Sequence, residues 1–298
     1  MPSTTSGVHS IELPGLEPWR RGKVRSVYEA GPEHLVIVAS DRLSAYDCVL
    51  PTPIPGKGEV LTRLSSFWFR GLAAARPHHL VSDDPRSYPA PFPVHRERLE
   101  GRSMLVRRAR RIDIECVVRG YLTGSGWREY QASGVVCGLR LPSDLHDGSR
   151  LDPPIFTPAT KEDAGHDVNI DFDEAGARVG RDTAEALRRR SLAIYEEARA
   201  FSWDRGLVLA DTKFEFGVVD GELTLIDEVL SPDSSRYWDR AEYHAGRLVS
   251  FDKQFVRDWL DQSGWNHEPP APLLPDDVVR RTRERYLEAM RRLTGETT

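Results

Sequence analysis

The order of patterns along this chain predicts an α+β fold of two lobes. Strand signals open the sequence, mixed strands and helices follow, and the closing stretches are helical. The boundary falls near residue 110, giving a β-rich lobe over 1–110 and a mixed α/β lobe with terminal helices over 111–298. A chain of 298 residues has the size to bury a substantial core.

Gly22 to Tyr28 and Leu35 to Ala39 read as two strands joined by a turn at Gly31-Pro32. Lys23 and Arg25 would share one face of the first, and the amides of Gly22-Lys-Val-Arg25 suit phosphates. Ser40-Asp-Arg-Leu-Ser-Ala-Tyr-Asp47 follows as a polar loop at a strand's end, with Ser44 and Asp47 among its ligand candidates. Ile54-Pro-Gly-Lys-Gly58 is a loop whose glycines let Lys57 approach a ligand. Leu61, Leu64, Phe67, Trp68 and Leu72 recur at helical spacing, so Val60 to Ala75 is an amphipathic helix that ends before Pro77.

Met104 to Arg108 and Ile112 to Val118 read as two further strands. Arg119 emerges at the end of the second, just before the glycine loop Gly124-Ser-Gly126, whose amides and Ser125 hydroxyl suit a phosphate monoester. An ion pair of Arg119 with Glu115 is the bland alternative. Pro154 to Lys161 and Gly165-His-Asp167 read as a long polar insertion without core, in which His166 alone is no catalytic signal. Asp182 with Glu185 resembles a capping box for a helix that stops near Gly206. Phe251 to Asp261 and Asp276 to Leu293 are the last helices.

Between those helices lies the most informative segment. In Asp211-Thr-Lys-Phe-Glu-Phe-Gly217 a strand's alternation turns Asp211, Lys213 and Glu215 to one face and Thr212, Phe214 and Phe216 to the other. A face of acids flanking a lysine calls for a cation and an anion, and one or two carboxylates are what Mg²⁺ takes when substrate phosphates fill its other positions. Asp220-Gly221 closes a hairpin with Leu225-Ile-Asp-Glu228. A two-residue turn pairs Glu215 with Ile226 and puts Glu228 on the ionic face, whereas a bulged loop puts Asp227 opposite Glu215. Both registers satisfy the sequence. Ser231-Pro-Asp-Ser-Ser-Arg-Tyr-Trp238 then brings Asp233, Ser235 and Arg236 to the mouth of the same site.

Net charge −5 gives no general attraction to nucleic acid. No apolar run reaches the ~18 residues of a membrane span. Cys48, Cys116 and Cys137 lack metal-ligand spacing and leave an odd thiol, so a reducing, cytoplasmic setting is expected. A buried interface and an internal core share one composition, so the pattern assigns no oligomeric state. The chain has neither a Gly-x-x-x-x-Gly-Lys-Ser/Thr loop nor a His-Arg-Asp loop, which disfavours P-loop enzymes and protein kinases.

In this order, Gly22-Lys-Val-Arg25, Ser40 to Asp47, Ile54 to Gly58, Glu115-Cys-Val-Val-Arg-Gly-Tyr121, Gly124-Ser-Gly126, Phe156-Thr-Pro-Ala-Thr-Lys161, Asp211 to Gly217 and Asp227 to Arg236 resemble the SAICAR synthetases of de novo purine synthesis. The resemblance implies ATP- and Mg²⁺-dependent ligation of L-aspartate to carboxyaminoimidazole ribonucleotide in a two-lobed kinase-like or ATP-grasp-like cleft. It implies that Lys23 and Arg25 meet the nucleotide phosphates, that adenine sits near Arg107 to Ala109, and that Glu215 and Asp227 hold Mg²⁺. Arg119, Ser125 and Arg236 correspond to a ribonucleotide phosphate clamp, while Ser44, Lys57, Asp211, Lys213, Asp233 and Ser235 line that substrate's site. Lys213, Asp211 and Asp47, the last near the reacting carboxylate, are the implied catalytic set. The aspartate pocket is expected around Thr157 to Asp167 and the Ser40 loop. Ser26 departs from the family, which usually has aspartate there. The competing classes are a small-molecule kinase with the same ATP cleft and a silent nucleotide-binding module.

Overall fold

Two antiparallel sheets share one core. The computed structural model describes residues 7–161 and 168–296. A five-stranded sheet runs in the order Arg20–Arg21, Arg25–Glu29, His34–Ala39, Ser103–Arg107 and Leu80–Ser82. A seven-stranded sheet is built on the long strand Leu207–Val219, which pairs with Ile114–Tyr121 over residues 211–214 and with Glu222–Ile226 over 215–219. Ser235–Asp239 pairs with it from Leu207 to Thr212, so the stretch around Asp211 has neighbours on both sides.

The expected alternation is present. Thr212, Phe214 and Phe216 are almost fully buried against the helix Arg181–Asp204, and the ionic residues take the opposite face. The helix Lys57–Gly71 lies between the sheets, where Leu64 and Trp68 join Met104 and Val106 of the smaller sheet and Phe214 and Phe216 of the larger. The terminal helix Asp276–Thr294 packs on it. Burying so many large side chains in one cluster, at about 1.5–3 kcal/mol each, makes the two sheets cooperative.

Several elements depart from the sequence reading for identifiable reasons. The first long helix begins at Lys57 rather than Val60, because left-handed Gly56 (φ 79°) turns the chain straight into it. Gly58 permits this start, since a Cβ there would come 2.6 Å from the Ala39 carbonyl oxygen. Lys57 therefore opens a helix and is no loop residue. Lys23 lies in a bend before the strand Arg25–Glu29, so it shares no strand face with Arg25.

Pro154 to Lys161 is no coreless insertion. Arg150–Phe156 pairs with Ile114–Tyr121 through Ile155 and Phe156, and Ala159–Thr160 pairs with Glu115 and Ile114. Its prolines are tolerated because the strand is at a sheet edge and carries a register shift. Gly165, His166 and Asp167 fall outside the described residues. Asp182 lies inside its helix, which Gly180 precedes; the side-chain cap in this region is Asp171, whose carboxylate accepts from Glu174 N–H at 2.7 Å. Cys116 and Cys137 are buried, while Cys48 is half-buried, and all three are free thiols. Among the described residues no helix is long and apolar enough to cross a membrane.

Candidate active site

The hairpin register settles the geometry of the acidic end. Asp220 and Gly221 both have positive φ (51° and 80°), a two-residue turn, and Glu215 pairs with Ile226. By strand alternation Asp227 should then face away. It does not continue the strand: its φ of 65° is left-handed, and its carboxylate accepts from Arg25 Nη2 at 2.6 Å. Glu228 is close behind, 3.9 Å from the same nitrogen, and accepts from the Ser231 hydroxyl at 2.9 Å.

From there a track of alternating charge runs along the face. Lys161 Nζ contacts Glu215 at 2.9 Å and Glu115 at 3.3 Å, and Lys213 Nζ contacts Glu115 at 2.7 Å. Arg119 and Arg236 both bond Asp211 Oδ2, the former at 3.2 Å. At about 3.3 Å of rise per residue, Glu215 stands roughly 13 Å from Asp211. Burial alone would raise Glu115's carboxyl, but Lys213 and Lys161 hold it below the usual range. Burial and the Asp227 charge push Glu215 up, whereas Arg25 overcomes burial and holds Asp227 down.

Two half-buried carboxylates, of which Asp227 disfavours the ionisation of Glu215, fit a divalent cation that would relieve that repulsion. Among the described residues no group of three or more His, Cys, Asp or Glu could hold a metal unaided. Oxygens from a nucleotide's phosphates would have to complete the set.

The other end is a cavity of ≈200 Å³ lined by Arg119, Ser125, Asp211, Lys213, Asp233, Ser235 and Arg236, all singled out from the sequence. Arg119 is 3% exposed and is braced by Thr157 Oγ1 at 3.0 Å and Ser125 Oγ at 3.0 Å. Ser125 and Gly126 lie in the first turn of the helix Gly124–Ser133, not in a loop before it. Gly124 has φ 58°, and a Cβ there would overlap the Arg236 guanidinium, so glycine lets the helix start against the clamp. Arg236 Nε is a buried donor with no protein acceptor among the described residues, as are Arg257 Nε and, at the acidic end, Arg25 Nη1. Orphan cationic donors at both ends of the track fit anionic ligands.

Not every predicted residue reaches this cavity. Lys57 is 1% exposed, and its Nζ lies 2.6 Å from Asp233 Oδ2, so it supports the site through Asp233 and does not line it. Tyr286 O–H donates to Asp233 Oδ1 at 2.7 Å. Burial would raise Asp233's carboxyl, but Lys57 and Lys253 hold it far below the usual range. Replacing Lys57 with Met should leave that carboxylate buried with half its partners and cost about 3–5 kcal/mol. A urea titration should show a lower midpoint at unchanged slope; a loss below ~1 kcal/mol would show that the pair carries no such weight.

Lys23 and Asp47 form an ion pair of 2.5 Å, each about half exposed. Ser44 lies in the short hairpin Ser44–Ala45 with Cys48–Val49 and is not among the cavity's lining residues. Arg107 ends its strand with Nη1 3.5 Å from Asp220, and Ala109 lies in the connection between the sheets.

Four further residues belong to the site. Lys161, at the end of the motif Phe156 to Lys161, joins the track. Asp252, Lys253 and Arg257 line the cavity from the start of the helix Gln254–Gln262. Burial lifts Asp252 to about 6, even beside Arg236, and lowers Lys253 to about 8. Their signal in the sequence is weak: Lys253 caps the helix and Arg257 follows four residues on, a basic pair of the kind that ordinarily faces water beside an apolar stripe.

Comparison with known proteins matches the same span. The family model described as SAICAR synthetase covers residues 18–272. Phosphoribosylaminoimidazole-succinocarboxamide synthase of Desulfosudis oleivorans is 54% identical over 97% of this chain and 99% of its own. The protein of that name from Methylococcus capsulatus is 54% identical over 95% and 96%. A Saccharomyces cerevisiae SAICAR synthase solved in complex with SAICAR superposes with a TM-score of 0.87 at 40% identity, covering 98% of this chain and 99% of that one.

Proposed function

Because this chain belongs to the SAICAR synthetase family, it joins L-aspartate to 5-amino-1-(5-phospho-D-ribosyl)imidazole-4-carboxylate at the expense of ATP in purine biosynthesis, and we propose that its track of alternating charge is where the two nucleotides meet. The single observation that carries this reading is the shared face of that track. An acidic end gripped by Arg25 and a cationic clamp of Arg119 with Arg236 lie along one strand, and Lys213 and Lys161, paired with Glu115 and Glu215, stand between them.

At one end, Arg25 and Lys23 bind the phosphates of ATP, with adenine toward Arg107 to Ala109. The cleft is two-lobed, kinase-like or ATP-grasp-like, between residues 1–110 and 111–298; the reach of Arg25 from one sheet to Asp227 beyond the other supports it. Glu215 and Asp227 would hold Mg²⁺, which supplies charge neutralisation on the transferring phosphoryl group. At the other end, Arg119, Ser125 and Arg236 clamp the ribonucleotide phosphate. Lys253 and Arg257 bring the cations lining the cavity beyond what one phosphate requires, which suits the carboxylates of aspartate. Three free thiols support a reducing, cytoplasmic setting.

The chemistry follows from a poor leaving group. An imidazole carboxylate oxygen attacks the γ-phosphorus of ATP and ADP departs, leaving an acyl phosphate. The aspartate amine, having lost its proton, adds to the acyl carbon, and phosphate leaves with the oxygen that attacked. Lys213 steadies the carboxylate and the phosphoryl oxygens, while the distant clamp spends binding energy on holding the carboxylate in line. The chain supplies no covalent nucleophile. Oxygen-18 placed in the substrate carboxylate should appear in released phosphate; its complete retention in the product would exclude this route. Sustained ADP turnover should also require all three substrates. Continuous turnover without aspartate would favour a kinase, and no ADP under any condition a silent module.

A further inference from the structure

Asp227 is held through its main chain as well as through its carboxylate. The strand Glu222–Ile226 ends one residue before it, and the φ of 65° at Asp227 lies in the left-handed region. Aspartate enters that region more readily than most residues bearing a Cβ, but a bond to the main chain would fix it there. His79 Nε2 lies 3.1 Å from the Asp227 carbonyl oxygen. A carbonyl oxygen can only accept, so Nε2 carries the hydrogen and donates.

The rest of His79 is equally committed. It is 3% exposed, and its ring packs on Phe69 with centroids 5.4 Å apart. Its N–H donates to the Leu225 carbonyl at 3.0 Å, in the last strand of the larger sheet's hairpin. Its carbonyl accepts from Arg107 N–H at 2.8 Å, in the smaller sheet. One buried residue thus ties the two sheets together and bonds the residue whose carboxylate Arg25 grips from the smaller sheet.

We infer that His79 is a positioning residue for the nucleotide end: its Nε2–H fixes the left-handed turn at Asp227 and so presents that carboxylate beside Glu215 and Arg25. The inference rests on the reading of Asp227 as a ligand of the nucleotide-bound cation. It adds that the junction of the sheets and the cation site are one mechanical unit. His79 is 3% exposed and does not line the cavity, so it acts only through Asp227.

The test uses the full chain with ADP and Mn²⁺, whose binding electron paramagnetic resonance reads without turnover. H79L keeps an apolar side chain against Phe69 but leaves the Asp227 carbonyl without its donor. Affinity of the enzyme–ADP complex for Mn²⁺ should fall about 10- to 100-fold, the effect of an unsatisfied buried acceptor. H79Q, whose amide N–H reaches about as far as Nε2, should recover to within about threefold. KM for aspartate and for the ribonucleotide should stay within about twofold of wild type in both. Wild-type Mn²⁺ affinity in H79L, or an equal loss toward all three substrates, would overturn the inference. If H79L does not fold, H79Q is compared with the shorter H79N: restoration by Gln and not by Asn supports the role, and equal affinities remove it. D227N separates the two readings. Wild-type Mn²⁺ affinity in D227N overturns the assignment of Asp227 and with it that of His79, whereas weakened binding in D227N beside normal binding in H79L removes His79 alone.

Discussion

Replacing Lys213 with Met should lower kcat by about 10²- to 10³-fold, the scale set by removing a preorganised group that meets developing charge. Lys213 stands two residues from Asp211 and two from Glu215, on the face that both nucleotide ends share. Its amine bonds Glu115, and although burial alone would lower its pKa, Glu115 holds it above the usual range, so the side chain is a fixed cation at neutral pH. Methionine preserves the stem and removes that charge from between two anionic substrates. Glu115 keeps Lys161, which limits the structural damage. The loss should therefore appear in kcat and not in the melting temperature, with KM for ATP nearly unchanged. A rise in KM alone would place Lys213 in substrate binding and out of the phosphoryl-transfer step. A variant with wild-type kcat would remove it from catalysis.

What the sequence discloses about this site depends on how local each cause is. The alternation of Asp211, Lys213 and Glu215 against Thr212, Phe214 and Phe216 is a property of one strand, and it is legible because the period is 2. The acids of the hairpin are legible as a group, but their register is not, since Asp220-Gly221 serves either turn. The deciding feature, a left-handed Asp227, depends on a side chain about 150 positions away in sequence. Lys161 was hidden by composition. Pro154 to Lys161 reads as a polar insertion without core, whereas an edge strand accommodates Pro154 and Lys161 follows the short strand Ala159–Thr160. Lys253 and Arg257 were hidden by a sound rule, because basic residues opposite an apolar stripe usually face water. Here that face meets the cavity. Lys57 failed for a third reason: glycines around a lysine suggested access to a ligand, but one of them is there to let the helix approach Ala39. The buried pairing with Asp233 joins positions far apart in sequence, and no spacing rule reports it.

The phosphate clamp offers the second large effect, and its two arginines should not behave independently. Arg236→Met removes a cation from the cavity wall and should raise KM for the ribonucleotide at least ~30-fold, the lower end for truncating a desolvated, hydrogen-bonded charge. KM for ATP should hardly move, since the acidic end lies roughly 13 Å away along the strand. Arg119→Met should match that effect on KM and also destabilise the fold, because Arg119 braces Thr157 and Ser125 from a nearly inaccessible position. Both guanidinium groups converge on one oxygen of Asp211. Either single variant leaves that carboxylate a partner, but the double variant leaves it buried and unpaired. Stability of the double variant should therefore fall by more than the sum of the singles, with a coupling of about 1–3 kcal/mol. Adding Asp211→Asn to the double variant should recover part of the loss by removing the stranded charge. Urea titrations of the five chains, wild type included, decide the matter. Additivity within about 0.5 kcal/mol, or no recovery on adding Asp211→Asn, would show that Asp211 is not the hinge of the clamp and that each arginine is held by its own surroundings.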